Sequence, residues 1–107
     1  MIPAHEIATL LRAAAHGEVP VVVDDCRPWK TIYCGDVSLM LGAWHVVIFN
    51  DRDTLDYVDH ARAPDGRTGD YDDWAAAVDP LDMLTPAEYS QLLGVVRAAP
   101  LMPAADA

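Results

Sequence analysis

The chain has 107 residues, of which 52% are hydrophobic, and its formal charge is −10. A chain of this length folds as one domain that buries roughly two-thirds of its extended surface, and it has enough apolar residues for a core without metal or disulfide bonds. Its charge excludes nucleic acids and anionic membranes as expected partners, because both would be repelled. The sequence shows neither a leader-like segment nor one that could span a membrane, so we expect a cytoplasmic protein. Its two cysteines, Cys26 and Cys34, would then be reduced thiols, and we expect no cofactor.

The first predicted element is a helix over residues 3–16. Its apolar residues repeat with helical spacing: Ile7, Leu10, Leu11 and Ala14. Gly17 follows at the position where a left-handed cap would end the helix. Residues 19–23 are apolar but include Pro20, which lacks an N–H donor. We therefore expect an edge strand or an extended connection there.

The centre of the sheet is predicted at residues 44–50, a run dominated by β-branched and aromatic side chains. Residues 31–34 are also typical of a strand, and Gly42 favours a type II′ hairpin between residues 37–41 and 44–50. This hairpin pairs Leu41 with Trp44, Leu39 with Val46 and Val37 with Ile48, so that all six side chains share one core face. The opposite face, called the second face below, would carry Ser38, Met40, His45, Val47 and Phe49.

A third strand is predicted over residues 54–62, with Leu55 and Tyr57 on the core face. A three-residue loop would bury Asp56 without a partner, so we expect a four-residue loop in one of two registers. His45 lies directly across from His60 in one register and diagonally in the other. Val58 and His60 would then extend the second face, and residues 68–74 would form a short edge strand.

The final helix is predicted over residues 86–98, because Thr85 and Glu88 form a capping-box pattern around a proline. Residues 100–107 would be a flexible tail outside a single domain of residues 1–99. The predicted fold is α+β, a two-layer sandwich in which an antiparallel meander of three to four strands is covered by both helices.

Most of the negative charge lies in residues 51–82, which hold ten Asp and three Arg, a net charge of −7. Clustered carboxylates bind Ca²⁺ or Mg²⁺, but this stretch lacks the closing Glu of a calcium loop. Aspartate is also common in turns, where its carboxylate accepts hydrogen bonds from nearby backbone N–H groups. We expect mainly turns on a solvated acidic surface.

His45 and His60 are the candidates for metal chemistry, with Asp56 or Asp36 as a further ligand. The sequence places no third histidine or cysteine beside them, so two partly exposed imidazoles are the simpler interpretation. The second face is the stronger candidate site, because apolar and aromatic groups edged by charge are typical of protein-binding surfaces. Its candidate residues are Met40, His45, Phe49, Asp51, Asp53, Asp56 and His60. The alternative is that residues 74–84 fold over this face.

Several short motifs together resemble an uncharacterised family of small acidic bacterial proteins. They are Tyr33-Cys34-Gly35, Trp44-x-Val46-x-Ile48-Phe49-Asn50-Asp51, Leu55-Asp56-Tyr57 and Pro64-Asp65-Gly66-Arg67. The resemblance covers residues 29–97 and implies a bacterial, single-domain protein, with no activity or cofactor attached.

The sequence contains no catalytic constellation. We therefore expect a non-enzymatic protein-binding module of the inhibitor, immunity or regulatory type, whose protein partner has a basic surface. The alternative function is a metal-binding protein or a metal-assisted hydrolase that uses His45, His60, Asp51 and Asp56. A homodimer that pairs two second faces is a further possibility.

Overall fold

The computed structural model describes residues 1–74 and 76–103. Along the chain the elements are α1 (Ala4–Ala15), β1 (Val21–Val23), β2 (Cys34–Leu41), β3 (Trp44–Asp51), β4 (Leu55–Arg62), β5 (Thr68–Asp70), α2 (Tyr71–Trp74) and α3 (Pro86–Ala98), with 3-10 turns at Trp29–Thr31 and Pro80–Met83. The five strands form one antiparallel sheet in chain order. The predicted α+β fold is confirmed, with five strands instead of three to four.

Both predicted helices form, and their ends follow from local hydrogen bonding. After α1 the chain turns at Gly17, whose φ of 78° suits a residue without a Cβ. At the start of α3, Thr85 accepts a hydrogen bond from the Glu88 backbone, and the Glu88 carboxylate accepts one from the Thr85 N–H. The apolar stripes of both helices pack into the same core as the sheet.

The central hairpin of β2 and β3 has the predicted register, with Leu41 opposite Trp44 and Val37 opposite Ile48. Gly42 has a φ of 59°, the left-handed value that the first position of this turn requires. The predicted core face is buried beneath the helices, except that Trp44 is half-buried. The hairpin therefore fixes which side of the sheet meets α1 and α3.

The turn between β3 and β4 is tighter than predicted. Asn50 pairs with Leu55, which is one of the two expected registers, but Asp51 and Thr54 also exchange two backbone hydrogen bonds. The loop therefore has two residues, Arg52 and Asp53, with φ values of 51° and 67°. Two consecutive left-handed residues are the signature of a type I′ turn.

Two bulges in β4 overturn the predicted faces of this strand. The register shifts once between Phe49 and Asn50 and again between Val47 and Ile48, leaving Asp56 and Asp59 as the inserted residues. Each inserted residue reverses the alternation of side chains, which sends Leu55, Val58 and Ala61 to the core. The predictions that Tyr57 faces the core and Val58 the second face were wrong.

Other predicted boundaries also change. Residues 31–34 are not a strand throughout, because Trp29–Thr31 is a 3-10 turn and β2 begins at Cys34. The predicted edge strand at residues 68–74 ends at Asp70, and α2 follows directly.

Ile2 and residues 100–102 form backbone hydrogen bonds with the two outer strands of the sheet. Fully buried Ile2 donates its backbone N–H to Thr68 O at 3.2 Å in β5. Val23 of β1 donates to Pro100 O at 2.9 Å and accepts from the Met102 N–H at 2.7 Å. The predicted tail therefore begins with residues paired to the sheet, and residues 104–107 lie outside the described part of the chain.

Trp74 and the 3-10 turn Pro80–Met83 pack along β4, and the turn also packs against α1, on the side away from the second face. The Trp74 indole donates to Val58 O, and the Asp79 carboxylate accepts from the Val58 N–H. Leu81 and Leu84 join the core beside the helices. The alternative that this segment covers the second face is therefore wrong.

Candidate functional site

The second face of the sheet is open on the side opposite α1 and α3. In the structure it carries Ser38, Met40, His45, Val47, Phe49, Tyr57, His60 and Arg62. Val47 is buried, Met40, His45, Phe49 and Tyr57 are half-buried, and His60 and Arg62 are exposed. Of the predicted site residues, the strands bring Met40, His45, Phe49 and His60 onto this one surface.

Three aromatic rings lie against one another on this face. Phe49 and Tyr57 are stacked, with ring centroids 5.2 Å apart and planes 4° from parallel. Tyr57 also contacts Tyr71 of α2 at 4.8 Å, and Tyr71 is 41% exposed. We call Phe49, Tyr57 and Tyr71 the aromatic cluster. It exists because the bulge at Asp56 turns Tyr57 away from the core.

Carboxylates surround the aromatic cluster. Asp36 is cross-strand from Phe49, and Asp56 and Asp59 are the bulge residues on either side of Tyr57 and Val58. Burial raises the pKa of Tyr57, and the negative charges of Asp36, Asp59 and Asp56 raise it further. The pKa of Asp36 is itself raised, first by burial and then by Asp59. Among the described residues, no Lys or Arg forms an ion pair with Asp36, Asp56 or Asp59, and the Asp59 carboxylate is hydrogen-bonded to the His60 ring at 2.7 Å.

The two histidines form an edge-to-face pair with ring centroids 5.9 Å apart. His60 pairs with Val47 and Arg62 with His45, so the imidazoles are diagonal because the two bulges at Asp56 and Asp59 together shift the register by two residues. Burial lowers the pKa of His45, and the positive charges of His60 and Arg62 lower it further. His45 is therefore a neutral imidazole at neutral pH.

Hydrogen bonds link His45, Ser38 and Asp24. The Nε2 atom of His45 is hydrogen-bonded to Ser38 Oγ, and Ser38 Oγ lies 3.4 Å from Asp24 Oδ2. The tautomer of the His45 imidazole sets which of the two side chains donates in the bond between His45 and Ser38.

Asp56 does not join the histidines as a metal ligand. It lies in the bulge beside Leu55, near the turn end of β4, whereas His60 is near the opposite end of the strand. Across residues 1–74 and 76–103, no group of three or more His, Cys, Asp or Glu is arranged to hold a metal ion.

Asp53, predicted as part of the binding surface, faces the helices instead. Its carboxylate accepts a hydrogen bond from the Trp29 indole at 2.9 Å and pairs with Arg97 of α3 at 3.2 Å. The alternation of side chains along β3 places Asp51 on the second face, and its carboxylate forms an ion pair with its neighbour Arg52 at 3.1 Å. The turn therefore uses Asp53 to join β3 to the helical layer.

The remaining acidic stretch largely follows the turn interpretation. Asp65, Asp70 and Asp79 each accept a hydrogen bond from the backbone N–H two residues later. In Asp79, burial is the largest effect and raises the pKa of the carboxyl. These carboxylates shape the chain between β4 and α3.

An open groove of about 410 Å³ lies at the other end of the second face, between β3, β4, β5 and α2. Its lining consists of His45, His60, Ala61, Arg62, Thr68, Gly69, Asp70 and Asp73. His60 lines this groove, and its Nδ1 atom lies 2.7 Å from Asp59 Oδ2, in the bulge that separates His60 from Val58 and Tyr57.

Sequence reasoning missed Tyr57, Tyr71 and the charged lining of the groove. The three-residue spacing of Leu55, Val58 and Ala61, with an Asp in each gap, was the available signal. A strand with apolar residues at that spacing can bury all of them only if it bulges between them.

A family model described as a domain of unknown function (DUF7693) matches residues 1–98. The chain belongs to this family. The predicted resemblance to an uncharacterised family is thereby confirmed, and DUF7693 membership extends it to α1. No match was found among the curated proteins or among the solved structures. No helix in the described residues is long and apolar enough to cross a membrane.

Proposed function

We propose that this DUF7693 protein is a non-enzymatic protein-binding module of the bacterial cytoplasm, of the inhibitor, immunity or regulatory type, and that its partner presents a basic surface. The observation that carries the proposal is the aromatic cluster on an open sheet face. Asp36 lies opposite Phe49 and Asp56 next to Tyr57, and neither carboxylate has a cationic partner among the described residues. The exposed free thiols of Cys26 and Cys34 support a reducing compartment.

The chemistry of this surface suits an arginine or lysine side chain. A cation over an aromatic ring contributes about 0.5–1 kcal/mol at an exposed site, and Arg packs well against aromatic faces. Its charged end would then meet the carboxylates of Asp36 and Asp56, which form charge-assisted hydrogen bonds. Aromatic rings and carboxylates together therefore favour a cationic group over an apolar one.

The net charge supports the same partner. A protein with a charge of −10 attracts a basic surface over distances of about the Debye length, roughly 8–10 Å at physiological salt. The long-range field accelerates association, and the aromatic cluster supplies a fixed position for one cationic side chain.

The test compares two charge-matched double variants in capture experiments from a bacterial lysate. D36N/D56N removes two charges beside the aromatic cluster, whereas E18Q/D82N removes two exposed charges elsewhere on the molecule. We expect proteins retained by the wild type and by E18Q/D82N to be lost from D36N/D56N, with affinity reduced about three- to tenfold, and to elute with salt. Equal retention by both double variants would contradict the proposal.

A second variant separates the aromatic contribution from charge. Tyr57→Leu keeps an apolar side chain and the net charge but removes the ring stacked on Phe49. We expect it to weaken capture of the same proteins while leaving elution by salt unchanged. Retention equal to that of the wild type would limit the interaction to general charge attraction.

A further inference from the structure

The groove beside the histidines contains an arginine without an internal partner. Among the described residues, every other arginine forms an ion pair with a carboxylate: Arg12, Arg27, Arg52, Arg67 and Arg97. Arg62 forms none, although Asp70 and Asp73 line the same groove. In a chain with an excess of acidic groups, such a separation of opposite charges leaves both available to a ligand.

The strand pairing sets the spacing between the opposite charges. Arg62 pairs with Thr68 and His60 with Asp70, so Arg62 and Asp70 are diagonal neighbours across β4 and β5. Diagonal neighbours are about 7–8 Å apart at the backbone. The groove between them therefore has a positive side at Arg62 and a negative side at Asp70.

The acidic side is held by backbone contacts that leave oxygen atoms free. Asp73 Oδ2 accepts from the Asp70 N–H at 2.8 Å, and Asp70 Oδ1 accepts from the Asp72 N–H at 3.1 Å. One further oxygen of each carboxylate has no hydrogen bond from a described residue. These two oxygens can receive an ammonium group, which donates three hydrogen bonds.

The basic side offers a planar donor next to a neutral ring. Arg62 is cross-strand from His45, and its guanidinium can bind a carboxylate through two parallel hydrogen bonds. The groove volume of about 410 Å³ lies within the range of ligand sites, about 300–1,000 Å³. Both ends of a small dipolar molecule would thus find a partner.

We propose that this groove binds a small zwitterion of the amino-acid class, with its carboxylate on Arg62 and its ammonium group on Asp70 and Asp73. This site is separate in its chemistry from the acidic surface at the aromatic cluster, because it requires a negative group at one end. Its ligand is a free amino acid or the like, not a basic protein surface.

The experiment is a titration of the ¹⁵N-labelled protein with three probes, followed by amide chemical shifts. L-alanine carries both charges, L-alaninamide lacks the carboxylate and N-acetyl-L-alanine lacks the ammonium group. We expect L-alanine to shift the amides of Arg62, Thr68 and Asp70, and to bind at least about fivefold more tightly than either derivative.

Two variants assign each end of the ligand. Arg62→Gln should make L-alanine bind no better than L-alaninamide. Asp73→Asn keeps an oxygen acceptor for the Asp70 N–H but removes one of the two carboxylates that receive the ammonium group, so it should reduce the preference for L-alanine over N-acetyl-L-alanine. Arg52→Gln removes an exposed arginine outside the groove and should leave all three affinities unchanged. Equal binding of the three probes to the wild type, or no shifts confined to the groove, would overturn the proposal.

Discussion

Asn50 offers a direct test of how the turn is joined to the rest of the protein. It is a fully buried polar residue in β3. Its amide donates to Ile32 O at 2.9 Å and to Trp29 O at 3.3 Å, and its carbonyl oxygen accepts from the Asp53 N–H at 2.8 Å. Asn50→Ala removes all three hydrogen bonds at once.

The expected cost follows from which groups lose their partners. Trp29 O keeps a hydrogen bond from the Ile32 N–H at 3.1 Å, whereas no other described group donates to Ile32 O. A buried group without a partner costs about 1–3 kcal/mol, and the Asp53 N–H adds a smaller loss. We therefore expect the free energy of unfolding to fall by about 2–4 kcal/mol, a large share of the 5–15 kcal/mol typical of a domain.

Urea unfolding followed by far-ultraviolet circular dichroism measures this loss, provided that the denaturant slope stays constant. Thr54→Val is the matched control, because it removes an exposed hydrogen bond to Asp51 O from the same turn and should cost no more than about 1 kcal/mol. An unfolding free energy for Asn50→Ala within 1 kcal/mol of the control would refute the reasoning.

Asn50→Asp separates the role of the amide donor from that of side-chain volume. A carboxylate there faces two backbone carbonyl oxygens, so we expect it to be at least as unstable as Asn50→Ala at pH 7. The same environment raises the pKa of the new carboxyl in the folded state. Stability should therefore recover as the pH falls, since the protonated carboxyl can donate one hydrogen bond.

Further outcomes are expected from the same structure. Gly69→Ala would place a Cβ 2.9 Å from the buried Trp74 ring and should lower the free energy of unfolding by about 1–3 kcal/mol. Gly94→Ala has open space around it in α3 and should raise the free energy of unfolding by about 0.5–1 kcal/mol; thermal unfolding measures both changes. Thr85→Ala should lose about 1 kcal/mol of stability, because it removes the α3 capping box. Burial raises the folded-state pKa of Asp79, so the contribution of Asp79 to stability declines as the pH rises above the ordinary pKa of aspartate. Asp79→Asn should therefore reduce the pH dependence of the unfolding free energy in this range, as measured by urea unfolding. Zn²⁺, Mn²⁺ or Ca²⁺ should leave the melting temperature unchanged, since a bound ion at a hundred times its dissociation constant would add about 2.7 kcal/mol.

Local signals in the sequence were sufficient for the helices and the central hairpin. Helical spacing, the capping box at Thr85 and the turn glycine Gly42 each act over a few residues, and the structure follows them. The register of Leu41 against Trp44 then determines both faces of β2 and β3. Short-range geometry alone settles these elements.

The faces of β4 could not be obtained from alternation alone. Strict alternation put Tyr57 in the core and Val58 outside, but burial of Leu55, Val58 and Ala61 together outweighs regular pairing and requires two bulges. The aromatic cluster depends on this change, and so does the diagonal placement of the histidines. Long-range packing against the helices therefore decided the composition of the candidate site.

The role of Asp53 was also beyond local reasoning. Its partners are the Trp29 indole, 24 residues earlier in the chain, and Arg97 in α3. No spacing rule links residues so far apart, and an Asp in a turn usually satisfies its own backbone. One carboxylate that looked like exposed surface charge is thus a connection between layers.

The two chain ends bound to the sheet have a consequence for how copies of this protein can associate. Strands at the margins of a sheet are templates on which another chain can add its own strand, which leads to domain swapping or fibrils. Here the Ile2 N–H donates to Thr68 O in β5. In β1, the Val23 N–H donates to Pro100 O, and Val23 O accepts from the Met102 N–H. Growth of the sheet from one molecule to the next would first have to displace the segment at Ile2 or the segment at residues 100–102. Removing residues 100–107 should therefore expose an aggregation-prone margin even where the core stays folded.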